Sequence, residues 1–180
     1  MDVEIKTERL TLRPCRTEDG QRLRELIGVW DVAKMLARVP HPYPEGAAEQ
    51  WIATHDDLIS AGQEYIFAVD VDGLLAGVVG LHREGEAFEL GYWLGVPYWG
   101  RGLMTEAAGA VVDAAFAALN CPRLVAGYFT ENSRSARTLE KLGFEPTGRD
   151  IKYSLARNCD VAHVTLALTR STWAAKSGIN

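Results

Sequence analysis

Two glycines one residue apart, Gly100 and Gly102, separate an aromatic apolar run from a helix-forming one. The stretch Leu90-Gly-Tyr-Trp-Leu-Gly-Val-Pro-Tyr-Trp-Gly-Arg-Gly-Leu-Met104 therefore predicts a strand, a tight turn and a helix start in immediate succession. Such a junction can hold an anion. The first-turn N–H groups of a helix lack intrahelical partners, the macrodipole adds partial positive charge, and glycines let a phosphate approach closely. On two glycines alone, a tight turn with no ligand explains the pattern equally well. Two other phosphate loops do not fit: Thr105 stands where the dinucleotide fingerprint needs its third glycine, and there is no Gly-Lys-Ser/Thr triplet.

A second candidate is Glu89. Along the predicted strand, Phe88, Leu90, Tyr92 and Leu94 share one face, and Glu89, Gly91 and Trp93 share the other. A carboxylate on a sheet covered on both faces is costly, so it is either functional, an edge residue facing water, or half of a salt bridge. A third is the run Asn132-Ser-Arg-Ser-Ala-Arg-Thr-Leu-Glu-Lys-Leu-Gly-Phe144, in which Asn132 suits a helix N-cap and Ser135 a polar first-turn site. His41, His55, His82 and His163 show no i, i+4 pairing or acidic companion of a metal site, and no metal is expected. Trp51, Trp93, Trp99 and the His41-Pro-Tyr-Pro44 loop can line an acceptor pocket or simply pack in the core. Glu45, Glu49, Asp56 and Asp57 fit a solvated helix face.

Positioning these groups requires alternating strands and helices. Arg9 to Arg13 alternates as a strand closed by Pro14, and Thr17-Glu-Asp19 leads into a helix bearing Leu23, Leu26 and Ile27 on one face. After the stiff His41–Pro44 loop, Ala47 to Ala61 is predicted as one helix. Tyr65–Val71, Leu74–His82 and Ala87–Leu94 form an antiparallel meander turning at Asp72-Gly73 and Glu84-Gly85-Glu86. A helix from Leu103 to Leu119, a strand from Arg123 to Phe129, a helix from Asn132 to Leu142 stopped by Gly143, and strands Phe144–Gly148 and Val161–Thr169 complete the pattern. This is an α/β architecture: a central mixed, mostly antiparallel sheet of about seven strands with helices on both faces.

The chain of 180 residues is expected to form one domain, residues 1–180. Its 47% hydrophobic content is ordinary, and no apolar run approaches the roughly 20 residues of a membrane span. Met1 to Lys6 alternates charged and apolar residues, unlike a secretory leader, which predicts a cytoplasmic protein with no membrane partner. Cys15, Cys121 and Cys159 suit neither a disulfide framework nor a metal site. The net charge of -5 disfavours nucleic acid and mildly favours an amine-bearing partner.

Four separated stretches resemble the GCN5-related N-acetyltransferases (GNAT), and within them the RimJ/RimL-like branch of ribosomal-protein N-terminal acetyltransferases. Thr7-Glu-Arg-Leu-Thr-Leu-Arg-Pro14 is similar to the branch's first strand, Phe88 to Leu94 to its fourth, Tyr98-Trp-Gly-Arg-Gly-Leu-Met-Thr-Glu-Ala107 to its cofactor turn, and Asn132 to Phe144 to its last helix. One departure is Pro97, where the superfamily's turn signature has Gln or Arg. The resemblance implies acetyl-CoA as cosubstrate, its pyrophosphate on backbone N–H groups from Trp99 through Gly100, Arg101, Gly102 and Leu103 to Met104, with Arg101 adding charge. The pantetheine arm would run along Leu94, Gly95 and Val96 where the fourth and fifth strands diverge. Glu89 would be the general base, acting through water; Asn132 would bond the arm. The phenolic acid that many members carry falls here on Leu139, so Ser135 or water would assist the thiolate. Expected is acetyl transfer to a primary amine at a peptide or protein N-terminus, by a monomer or homodimer. The same scaffold also serves small amines such as antibiotics or polyamines, or a CoA-binding domain without turnover.

Overall fold

The computed structural model describes residues 4–178, so Met1 to Val3 of the N-terminal expectation, and 179–180 of the single-domain one, lie outside the described residues. Among the described residues eight strands form one sheet: β1 (Ile5–Lys6), β2 (Thr11–Arg13), β3 (Glu64–Val71), β4 (Leu74–Glu84), β5 (Ala87–Leu94), β6 (Arg123–Phe129), β7 (Glu145–Ser154) and β8 (Cys159–Thr169). Their order is β1-β2-β3-β4-β5-β6-β8-β7, and every pairing is antiparallel except β5 with β6. That parallel pair holds only at Phe88↔Leu124 and Glu89↔Val125. Beyond it the strands part, and the wedge between them is where a ligand can enter the sheet.

Among the described residues seven α-helices cover the faces: α1 (Gly20–Ile27), α2 (Trp30–Ala33), α3 (Ala47–Ile52), α4 (His55–Ser60), α5 (Leu103–Ala118), α6 (Ser133–Leu142) and α7 (Arg170–Ser177). The larger core joins α5 to the sheet through Leu103, Ala107, Ala108, Val111, Ala115 and Phe116 against Val79, Leu81, Leu90 and Leu124. Alanines at the closest positions bring the helix axis near the strands, and each large side chain buried there contributes roughly 1.5–3 kcal/mol. The smaller core seats α1 and α3 on the opposite face, with Leu23, Ile27, Ala48 and Ile52 on Ala68, Leu75 and Val78.

The departures from the sequence pattern have local causes. The helix expected from Ala47 to Ala61 breaks at Ala53-Thr54, where the Thr54 N–H shifts to the Trp51 carbonyl at 3.1 Å and the Thr54 hydroxyl donates to the same carbonyl at 2.7 Å. α7 is capped by the Thr169 side chain, which accepts from Thr172 N–H, and Trp173 packs on Phe116 at 5.1 Å between centroids. β7 runs to Ser154, beyond the predicted Gly148; its charged residues mark a sheet edge, where polar side chains are tolerated. Arg13 is buried between Asp19 (2.8 and 3.0 Å) and Asp70 (2.8 Å), tying β2, the start of α1 and β3 together. Cys15, Cys121 and Cys159 are free thiols.

Candidate active site

The glycine turn presents a row of backbone N–H groups without protein partners among the described residues. Gly100 and Gly102 adopt φ of +74° and +75°, conformations that side chains with Cβ resist. The first helical bond of α5 runs from Glu106 N–H to the Gly102 carbonyl at 3.1 Å, and Gly102 supplies no side-chain cap. The N–H groups from Gly100 to Thr105 consequently have no protein acceptor among the described residues. A Cβ at Gly100 would meet nothing within 4 Å, so the approach is open. The N–H of Trp99 is not part of this row: it donates to the Val96 carbonyl at 3.1 Å.

Residues distant in sequence hold the turn in shape. Glu106 accepts from Thr7 Oγ1 (2.6 Å), from Arg9 N–H (2.9 Å) and from Arg9 Nε (2.7 Å), while Arg9 Nη1 donates to the Arg101 carbonyl at 2.9 Å. Burial pushes the Glu106 carboxyl up, but these bonds and the Arg9 charge outweigh it and hold the group below the ordinary carboxylate value.

A cavity of about 390 Å³ opens over the turn, lined by Tyr92, Trp93 and Leu94 of β5, by Tyr98 to Thr105 except Arg101, and by Asn132, Arg134, Ser135, Arg137, Thr138 and Lys141 of the α6 segment. Arg134, Arg137 and Lys141 recur at helical spacing, a basic stripe beside the cradle that suits the phosphates of a nucleotide-bearing cofactor. The guanidinium of Arg134 also lies over the Trp99 ring at 4.2 Å. Sequence reasoning missed this stripe, although its three-and-four spacing was available. Of the expected cofactor residues, Leu94, Trp99, Gly100, Gly102, Leu103, Met104 and Asn132 line the cavity. Gly95, Val96 and Arg101 do not: Gly95 continues the β4–β5 ladder to Ala76 and packs on Leu26, while Val96 and Arg101 are exposed. Trp99 Nε1 also occupies the Leu94 carbonyl, at 2.8 Å.

On the other side of the wedge a larger cleft of about 580 Å³ contains Tyr43, Trp51, Trp93, Glu64, His82, Glu89, Lys152 and His163. Glu64, His82 and Glu89 occupy one cross-strand row, through the registers Glu64↔His82 and His82↔Glu89. The carboxylates on this floor have partners: Glu64 meets His82 Nδ1 at 2.8 Å, and Glu89, mostly buried, stands 3.4 Å from Arg38 Nη2 and 3.7 Å from Lys152 Nζ. Both the functional and the salt-bridge accounts of Glu89 thus have a structural basis. His163 Nδ1 bonds Asp150 at 2.7 Å, and its ring fills the space a Cβ at Gly127 would take. Sequence spacing could not pair either histidine with its acid, because both pairs form across strands. Among the described residues no group of three or more His, Cys, Asp or Glu is placed to hold a metal ion.

The two cavities share Met35, Leu36, Tyr92, Trp93, Asn132 and Ser135. Asn132 Oδ1 accepts from Ser135 N–H at 3.1 Å, which caps α6 and leaves its amide NH₂ available as a donor at the junction. The Ser135 hydroxyl meets the Tyr92 phenol at 2.8 Å. Leu139 is fully buried, away from both cavities.

The description "Acetyltransferase (GNAT) domain" fits residues 9–145 of the chain. An uncharacterized N-acetyltransferase, p20, of Bacillus licheniformis is 32% identical over 87% of this chain and 92% of its own length. The [ribosomal protein uS5]-alanine N-acetyltransferase of Escherichia coli is 28% identical over 95% and 93%. Spermidine N(1)-acetyltransferase of E. coli is 31% identical over 76% and 73%. Among solved structures, the ribosomal-protein-S5-alanine acetyltransferase of Vibrio fischeri superposes with a TM-score of 0.82 at 25% identity, covering 96% of this chain and 99% of that one.

Proposed function

We propose that this chain, which belongs to the GNAT acetyltransferase family and is an acetyl-CoA-dependent N-acetyltransferase, acts as one domain on the α-amine of a peptide or protein N-terminus. When bound, acetyl-CoA supplies an activated acetyl thioester with a thiolate leaving group. The residues present fit it: free N–H groups from Gly100 to Thr105 for the pyrophosphate, the Arg134, Arg137 and Lys141 stripe for charge, and the parted edge of β5 for the amide-bearing arm. The Asn132 amide orients the arm at the junction, and Ser135 faces the departing sulfur.

The observation that carries the reading is the shared wall of the two cavities, where an amine entering from the larger cleft meets a thioester entering from the turn. Glu89 is the base on the amine side and takes the ammonium proton through water. An α-amine, with an ordinary pKa of about 7.7–8.0, is far more often neutral at pH 7 than a lysine amine near 10.4, so the least proton removal is needed there. The polyamine reading is favoured by the spermidine-acetylating relative. Against it, a polycation calls for an excess of carboxylates, whereas Glu64 and Glu89 are balanced by His82, Arg38 and Lys152. The free thiols suit a reducing compartment, and the cytosol supplies both substrates. Acetyl-CoA consumption measured with free-amine peptides, the same peptides N-blocked but bearing lysine, spermidine, and no acceptor tests the reading. Free-amine peptides are expected to give the highest kcat/KM; preference for spermidine assigns the small-amine reading, and no acceptor-dependent thiol release leaves a binding domain.

A further inference from the structure

Tyr92 projects from β5 toward α6, and its phenol bonds Ser135 Oγ at 2.8 Å, with the Ser135 carbonyl at 3.4 Å. Both residues line the turn cavity and the acceptor cleft, so the pair lies at the junction of the two. Resting on the acetyl-transfer reading above, we propose that Tyr92 is a positioning residue that donates to Ser135 Oγ and thereby turns the Ser135 hydrogen outward, onto the sulfur that leaves when the acetyl group is transferred.

The direction of the bond follows from chemistry. A hydroxyl pair shares one hydrogen between its oxygens, and the phenol is the more acidic partner, hence the donor. With that bond occupied by the phenol, the serine O–H has no need of Tyr92 as acceptor and is free to point into the cavity. The bond from Ser135 N–H to Asn132 fixes the turn of α6 that carries the hydroxyl. Burial pushes the Tyr92 phenol up to about 12, against the smaller opposing effect of the Ser135 bond. A thiol is ordinarily near 8.5, so neither hydroxyl hands its proton over to the thiolate; the chain holds the developing charge by hydrogen bonds. In the balanced step the amine, its ammonium proton already passed by Glu89 through water to solvent, bonds the acetyl carbon; the C–S electron pair goes to sulfur, and the second nitrogen proton leaves by the same water to the freed Glu89 carboxylate. Ser135 keeps its proton and donates it as a hydrogen bond to the thiolate, which solvent protonates on release. Tyr92 touches neither reacting atom, and its whole effect passes through Ser135.

The test titrates CoA bound to the protein, following thiolate absorbance near 240 nm against the same variant without CoA. The titratable and charged groups lining the two cavities, Asp31, Arg134, Arg137 and Lys141 on one side and Arg38, Glu64, His82, Glu89, Lys152 and His163 on the other, are common to all variants and cancel in the differences. In the wild type the bound thiol is expected to ionise at lower pH than in Ser135→Ala, and Tyr92→Phe should lose much of that gap, a shift of roughly half to one pH unit. Tyr92→Phe in the Ser135→Ala background should change nothing further. With a productive amine, Tyr92→Phe should lower kcat about 10-fold at unchanged acetyl-CoA Kd. A wild-type titration curve for Tyr92→Phe overturns the proposal, as does an equal effect of Tyr92→Phe with and without Ser135. Ser135→Ala probes the same pair from the other side should Tyr92→Phe fold poorly, and a Ser135→Ala curve identical to wild type is equally fatal. A lowered thiol pKa with no acceptor turnover refutes the acetyl-transfer reading and leaves the pair intact, so the two failures are distinguishable.

Discussion

The cavity over the glycine turn and the larger cleft share a wall at Tyr92, Trp93, Asn132 and Ser135, yet they are assembled in opposite ways. The cavity draws most of its lining from two short stretches, 92–105 and 132–141, and its main polar groups are backbone N–H groups whose availability follows from a helix start. The cleft collects side chains from α1, the segment after α2, α3, six strands and the α6 segment, with most of its charges paired between elements distant in sequence. A site for an invariant ligand can be written into one turn. A site for a particular amine is set by side chains that the whole fold must bring together, so each half responds differently to substitution.

The largest effect is expected at the turn. Gly102→Val places a β-branched residue at φ +75° and a side chain over the cradle. At acetyl-CoA a hundredfold above Kd the wild type gains about 2.7 kcal/mol of stability, and the variant should lose nearly all of it while peptide binding in the cleft persists. Thermal melts with and without ligand check this, with Gly102→Ala as the milder control; a full ligand shift in a normally folded Gly102→Val removes the cradle from the cofactor site. In the cleft the converse holds. Glu89→Gln should reduce single-turnover acetyl transfer roughly 100-fold with acetyl-CoA affinity unchanged. If the rate and its pH profile match wild type when chemistry is limiting, Glu89 is only the partner of Arg38 and Lys152.

The same contrast explains what was legible in the sequence. The meander, the two-glycine turn, α5 and the Asn132 cap each rest on contiguous residues, and all were found where expected. The brace of Thr7 and Arg9 on Glu106, the Arg13 ion cluster, and the pairs Glu64–His82 and Asp150–His163 join residues across strands or nearly a hundred positions apart, and nothing in a single sequence marks them. Alternation places Tyr92 on the apolar face of its strand, but nothing in it shows that the hydroxyl reaches a partner 43 residues on. The β1 segment adds the eighth strand through only two residues, too few to carry an alternating pattern.

Arg134→Ala gives a middle-sized effect confined to the cofactor side. The change removes a cavity cation and its contact with the Trp99 ring, so acetyl-CoA should bind about 5- to 10-fold more weakly, with kcat at saturation unchanged. Calorimetric titration measures the first quantity and steady-state kinetics the second. A loss confined to kcat would move Arg134 from the cofactor side to the reaction.

The smallest effect concerns acid, and it asks whether the brace behind the turn matters to the ligand. Burial raises the Glu106 carboxyl, but the bonds from Thr7 and Arg9 and the Arg9 charge prevail and leave it below its ordinary value. A carboxyl depressed in the folded state stabilises the fold above its unfolded value, about 4.3, and that contribution fades as pH falls through the lower folded value. Asp19, where burial is likewise outweighed by the bonds and charge of Arg13 and by Arg16, adds to the same acid limb from the other face. Acid melting of the wild type alone therefore cannot assign the limb to either half. Glu106→Gln separates them: Tm at pH 7 should fall by roughly 2–4 °C, the scale of 1 kcal/mol in a protein of this size, and the difference from wild type should close below about pH 4. Because Arg9 also holds the Arg101 carbonyl, releasing it loosens the cradle, and acetyl-CoA affinity should drop a few-fold. The wild-type affinity should then decline more steeply than that of Glu106→Gln as pH falls below about 4, after allowance for phosphate protonation common to both. Parallel declines would make the brace a matter of fold stability alone and leave the turn's geometry to its two glycines.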